Sequence, residues 1–329
     1  GLGNETPLLD LLLHIRNEKP LKPEIKIEDV QIACQIGSGK FSDVFLAIVG
    51  PDCYALKIFK PYHRHRADEE RDTLLLLTKY CVPNIPRLIS AFTISETRRR
   101  ALLMDLMYEH YDISKIRQLN IDLKLAIIYK ILSTIKTANQ AGIIHGNICP
   151  SNVLIDSSLD QFRYNFDPKD NKDKNFDLKK FINILVVGWN TSIRSQDSKT
   201  FQRIFFNKSV PIQYSIGQKD KKIYGGNNLF KAPELLIGKN SITSKVDIWS
   251  IGCLFVYFLL DDSHPLWGKK EKSTRLPENL GTLRRIAEEI GPDEVLDTCK
   301  DYIPPEHIGV FSSISRVRPP FTEVSIEFV

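Results

Sequence analysis

"IIHGNICPSNVLI" (residues 143–155) sets a polar, turn-rich loop between two apolar runs. The loop has the shape of one where a single acidic residue does chemistry, yet Asn147 stands where the carboxylate is expected. Just upstream, "IDLKLAIIYKILSTIKTANQAG" (121–142) places apolar residues at helical spacing and stops at Gly142, which predicts a long helix. Earlier still the pattern is different. Residues 26–60 alternate like strands in "IKIEDVQIACQIG", "DVFLAIVG" and "CYALKIF", and "ADEERDTLLLLTKY" (67–80) reads as a helix. "RLISAFTI" and "RALLMDLM" add two more strands. Strands followed by helices imply an α+β protein: a small antiparallel-sheet lobe with one main helix, then a larger helical lobe.

The boundaries expected are a helical extension over 1–25, a small lobe over 26–107 and a large lobe over 108–329. Polar, charged stretches read as inserts near 156–180 and 194–228, and residues 7–17 as a short amphipathic helix.

Composition excludes several classes. Hydrophobic content of 42% and charged content of 26% are ordinary for a globular protein. A net charge of +5 is too mild to argue for nucleic acid or a membrane surface. No apolar run reaches the roughly 18 residues of a membrane span. The six cysteines (34, 53, 81, 149, 253, 299) form no close pairs, which predicts free thiols, no zinc site and an intracellular setting, nuclear or cytoplasmic.

"IGSGKFSDVFLA" (36–47) lies between two strand patterns. Gly37 and Gly39 are expected to let the backbone turn tightly and approach phosphates with no Cβ in the way. Ser42 stands where a third glycine of G-x-G-x-x-G would be, and a strand follows, so a dinucleotide-binding reading fails. "YALKIF" puts Lys57 inside an apolar strand. The 67–80 helix offers Glu69 and Glu70, and Glu70 shares a face with Leu74, so Glu70 is the expected partner of Lys57.

The glycine loop, Lys57, Glu70, "HGNICPSN" (145–152), "KAPELL" (231–236) and "KVDIWSIGCLF" (245–255) together resemble the eukaryotic protein kinase superfamily, in its order and over nearly the whole chain. Within it, "KIEDVQIACQIGSGKFSDVFLA", "LLMDLMYEH" and "QAGIIHGNICPSNVLI" resemble the Cdc7-like serine/threonine kinases, and "HGNICPSN" followed by a glycine–aromatic pair resembles the SCY1-like pseudokinases. The resemblance implies a bilobal kinase fold. It implies a lobe connection at Met104, Asp105, Leu106 and Met107, with Met104 as gatekeeper and backbone groups facing an adenine. It implies that Glu234 pairs with Arg316 or Arg318, and that Asp247 holds the backbone of the catalytic loop.

The departures from the family pattern cluster in one place. The catalytic loop H-R-D-x-x-x-x-N keeps His145 and Asn152, but Arg becomes Gly146 and the proton-accepting Asp becomes Asn147. The loop lysine becomes Cys149. The metal-binding D-F-G falls in "FINILVVGWNTS" (181–192), either as Val186-Val187-Gly188 or as Gly188-Trp189-Asn190, and neither supplies an Asp. The second is preferred, because Trp189 suits the apolar slot of Phe. A neutral amide is a poor proton acceptor, and Asn152 alone is a weak magnesium ligand.

These residues predict a pseudokinase acting through a protein partner, either an active kinase or an activating or regulatory subunit. ATP binding is expected without metal, through Gly37, Gly39, Lys57, Glu70 and the lobe connection, and magnesium is not expected. The alternative is an active serine/threonine kinase whose base and metal ligands moved to Asp156 or to acids within 167–177. A third reading makes "RRR" (98–100), "KPYHRHR" (60–66) and "KKEK" (269–272) a surface for acidic partners, although such runs are most often solvated faces.

Overall fold

The computed structural model describes residues 25–107, 116, 119–156, 182–194, 213–215, 227–238, 241–259 and 276–314. The chain divides into two compact units, Gly1–Tyr108 and Glu109–Val329.

The first unit is built on an antiparallel five-stranded sheet, in the order β1 (Gln31–Ser38), β2 (Ser42–Val49), β3 (Asp52–Phe59), β5 (Arg99–Asp105), β4 (Leu88–Ile94). Gly50, with φ of 58°, makes the two-residue turn that pairs Val49 with Asp52. β3 lies in the centre, so its side chains meet neighbours on both sides. Tyr54, Leu56 and Ile58 pack with Ala47, Ala101 and Leu103 on one face. Lys57 alternates to the other face, towards α1 (Arg64–Lys79). That helix buries Ala67, Glu70, Thr73, Leu74 and Leu77. Leu74 and Leu77 are wholly buried, each contributing about 2 kcal/mol of hydrophobic stabilisation.

Strand pairing begins at Gln31 and not at residue 26, where the alternation starts. Ile27–Asp29 is a 3-10 turn, closed by the Asp29 carboxylate accepting from the Lys26 amide at 3.0 Å. β1 is an edge strand with two register shifts and is exposed along nearly its whole length. Such bulges blunt an edge against further strand pairing.

The second unit opens with α2 (Ile121–Gln140), capped by the Asn120 side chain accepting from the Leu123 amide at 2.9 Å. It is followed by Gly142 at φ 76°, where the chain leaves helical geometry. Three two-stranded ribbons follow: β6 (Ile143–Ile144) with β9 (Ile193–Arg194), β7 (Val153–Ile155) with β8 (Ile184–Val186), and β10 (Gln213–Ser215) with β11 (Ser241–Thr243). The remaining helices are α3 (Pro233–Leu236), α4 (Lys245–Leu259), α5 (Glu278–Ile290), α6 (Pro292–Cys299) and α7 (Pro305–Ser312). Ile144, Ile193, Ala232, Leu235, Ile242 and Val246 form a core against which Trp249 packs. The proline-rich "YIPPEHIG" becomes the start of α7, with Pro305 at the first helical position, where a missing N–H costs nothing. No helix among the described residues is long and apolar enough to cross a membrane. The expected helix over 7–17, most of both inserts, residues 269–272, Arg316 and Arg318 lie outside the described residues.

Candidate functional site

In the first unit Lys57 and Glu70 meet. The ammonium donates to both carboxylate oxygens, at 2.6 and 2.9 Å, with Lys57 8% and Glu70 2% exposed. The register places Lys57 opposite Val44 on β2 and Leu102 on β5, so the charge pair sits in an apolar wall. Such a pair holds only while both partners are present.

The glycine turn beside it is tied by its own bonds. The Gly39 amide donates to Ser42 O at 2.9 Å, and Lys60 Nζ donates to Gly39 O at 2.7 Å. Ser38 Oγ donates to the Asp43 carboxylate at 2.8 Å. Neither Gly37 nor Gly39 has a positive φ, and a Cβ on either would make only ordinary contacts, at 3.6 and 3.5 Å. The tight-turn reason expected for these glycines is therefore not the operative one.

Met104 is buried in β5 opposite Ala55. Asp105 ends that strand, and its carboxylate accepts from the Arg87 amide and guanidinium, both at 3.1 Å. Met107 follows the strand and is half-buried.

In the second unit, Asp247 organises the loop quoted at the outset. Its carboxylate accepts from the amides of His145 and Gly146 at 2.9 and 2.8 Å, and from the Asn139 side chain at 3.1 Å. Burial pushes the Asp247 carboxyl above its ordinary range, and these three donors oppose that. Gly146 takes φ of 73°, a left-handed conformation in which a β-carbon is costly.

Asn147 is held at both ends. Its amide donates to His145 Nδ1 at 3.2 Å, and its side-chain oxygen accepts from the Asn227 amide at 3.3 Å. The other His145 nitrogen, Nε2, lies 2.9 Å from Val187 O and so carries the proton. Cys149 is buried with Sγ 3.2 Å from Ser151 Oγ, and burial raises its thiol pKa, so no reactive thiolate replaces the lost lysine.

The geometry around Gly188 bears on the two alignments. Gly188 is left-handed at φ 82°, and the next residue, Trp189, is fully buried. The indole donates to Val186 O at 2.8 Å and stands against His145, with ring centroids 4.4 Å apart. Trp189 is thus enclosed between Val186 and His145. A β-carbon at Gly188 would lie 2.5 Å from Asn152 Oδ1 and 2.7 Å from its Cγ. Asn152 meanwhile donates Nδ2 to Asn147 O at 2.8 Å. Its carboxamide thus occupies the space where a side chain at 188 would start.

Magnesium asks for carboxylate or phosphate oxygens. The chain offers an amide at 147, an amide at 152 and no side chain at 188, so these residues do not fit that ion. Asp156 follows β7, its amide donating to Asn183 O at 2.9 Å. The acids of 167–177 lie outside the described residues.

Two contributors went unnoticed in the sequence, Asn227 and Asn139: each acts through a bond across 80 or 108 residues, and nothing in its neighbourhood marks it. Lys60, noticed only as part of a basic run, bonds Gly39 O instead.

Residues 30–167 match the family model of the protein kinase domain. The fold is that of a protein kinase domain. The matched span holds the glycine turn, Lys57, Glu70 and the loop from His145 to Asn152. The likeness to a protein kinase domain therefore holds for residues 30–167 of the 329.

Proposed function

We propose that this kinase-fold chain is a pseudokinase, a regulatory and scaffolding module that binds a protein partner and does not transfer phosphate. One observation carries the reading: the Asn152 carboxamide fills the space beside Gly188, in a loop where Asn147 replaces the proton-accepting carboxylate. Phosphoryl transfer rests on positioning and on neutralising charge, and losing one such group commonly costs about 10²–10³ in rate. Here the base and the metal carboxylate are absent together, so little transfer remains. The groups that hold the fold are kept, notably Asp247 and the Lys57–Glu70 pair.

Nucleotide binding, on this reading, needs no metal. Lys57 supplies the charge for phosphates and the glycine turn gives them backbone access. The partner is an active kinase or an activating or regulatory subunit. The Cdc7-like segments point to a Dbf4-like subunit and a role near replication control, whereas the SCY1-like loop points to a scaffold.

The test is the unfolding midpoint with ATP, in EDTA and with magnesium or manganese. A ligand at about 100 times its Kd stabilises the folded state by roughly 2.7 kcal/mol, a readily measured shift. The expected result is the same rise with and without metal. A rise that appears only with metal overturns the pseudokinase reading. No rise in any condition removes nucleotide binding and leaves the scaffold.

A further inference from the structure

α2 is apolar on more than one side. Leu123, Ile127, Ile131, Ile135 and Ala138 are buried in the second unit. Another side is open. Ile121, Leu125, Tyr129 and Leu132 are 49%, 46%, 52% and 37% exposed. At 3.6 residues per turn these four fall within an arc of about 80° and form one stripe about 17 Å long. Large apolar side chains scattered singly on a surface need no explanation, whereas a continuous row of them marks an interface. A helix that is hydrophobic on every side is one that ends up enclosed.

The charges on the stripe narrow the choice of cover. Asp122 borders it beside Ile121, and Lys136 continues it one turn beyond Leu132; both are exposed. The acid stands at the N-terminal end and the base at the C-terminal end. A second α2 laid antiparallel about a two-fold axis meets this order with its opposite, acid against base at both ends. A parallel pairing would instead set Asp122 against Asp122 and Lys136 against Lys136. The apolar positions obey the same reversal. With the axis at Tyr129, Leu125 faces Leu132 of the second copy, and Ile121 faces the aliphatic stem of its Lys136. Tyr129 meets its own counterpart.

We propose that this face of α2 is an interface between two copies of the chain, its occupant being the same face of a second copy, antiparallel about a two-fold axis at Tyr129. The interface lies on α2 alone and is independent of the nucleotide reading. It is small. Standard interfaces bury about 800 Å² per partner, and a stripe of about three turns offers less. The dimer is therefore a weak one, with a dissociation constant on the order of 100 μM. Pairing of that strength responds to local concentration, so any partner that holds two copies close together closes it.

The experiment is sedimentation equilibrium of the full chain from about 10 μM to about 1 mM, a range that brackets that constant. Circular dichroism checks that each variant is folded. The unaltered chain should pass from monomer to dimer across the range. Asp122→Lys and Lys136→Asp should each weaken the dimer about tenfold, since each sets like charges opposite one another at both ends. The double exchange restores opposite charges and should return the association to within about twofold of the original. Tyr129→Glu places two carboxylates at the axis and should leave a monomer. All three positions are exposed, so the fold tolerates the changes. A chain that stays monomeric at about 1 mM overturns the proposal and leaves the stripe to a different protein. A dimer indifferent to Tyr129→Glu overturns it too, because another surface then holds the copies. So does a dimer that both single reversals weaken and the double exchange fails to restore, a pattern that excludes antiparallel pairing.

Discussion

Lys57 and Glu70 are joined at 2.6 Å with almost no water around either, and that geometry makes them interdependent. Lys57→Met strands a buried carboxylate and should cost about 3–5 kcal/mol in urea unfolding. Adding Glu70→Leu should recover most of that loss, because two apolar groups of similar size satisfy the same space. If the double variant is no better than the single one, the pair is not the main term. Reversal at the second unit's loop separates stability from chemistry. Asn147→Asp keeps an acceptor for the Asn227 amide and should change stability by no more than about 0.5 kcal/mol. Gly188→Asp must push the Asn152 carboxamide aside and break its bond to Asn147, at about 1–3 kcal/mol. Neither variant should bind manganese, as read by the ion's electron paramagnetic resonance. Tight binding by Gly188→Asp would show that the space reopens readily.

Helices and loops are joined by single residues at the next scale. Asp247 on α4 collects donors from the 145–146 loop and from Asn139 on α2. Asp247→Ala leaves buried N–H groups without an acceptor and should cost about 3 kcal/mol or more. The pH dependence has a definite sign. The carboxyl's folded pKa is raised, by burial first, above the ordinary 3.8, so the folded state binds more protons than the unfolded one just above that value. Its contribution to stability is therefore full below pH 3.8 and declines as pH rises through the folded pKa. Asp247→Asn should remove that decline, as unfolding midpoints across the acid range would show. At the other end of α2, Asn120→Ala removes the cap and should cost about 1 kcal/mol.

Across the whole molecule, the Lys57–Glu70 pair lies within the first unit and the Asp247 bonds within the second. Destabilisations from Lys57→Met and Asp247→Asn share no partner and should add to within about 0.5 kcal/mol. A larger coupling energy in the double-mutant cycle would show that the two units respond as one.

Much of this was legible in the chain itself. The 3.6-residue period of 121–140, capped by Asn120, spelled α2 because capping and periodicity are properties of contiguous residues. Glu70 shares a helical face with Leu74, and both are buried. The identities at 147 and 149 come from sequence alone, and they carry the chemical argument. Other features depended on packing. The alternation from residue 26 was broken by a local Asp29 turn that competes with strand pairing. The helices α5 and α6, split by Gly291 at φ 121°, went unread although their apolar residues recur at helical spacing. Tertiary structure alone brought Asn227 to Asn147 across 80 residues and Asp247 to the loop amides across about a hundred. It also put the Asn152 carboxamide in the space beside Gly188. A repeat in the sequence records which face of an element is apolar, and so fixes local structure. Which distant polar atom satisfies a buried donor is decided only when those faces close on one another.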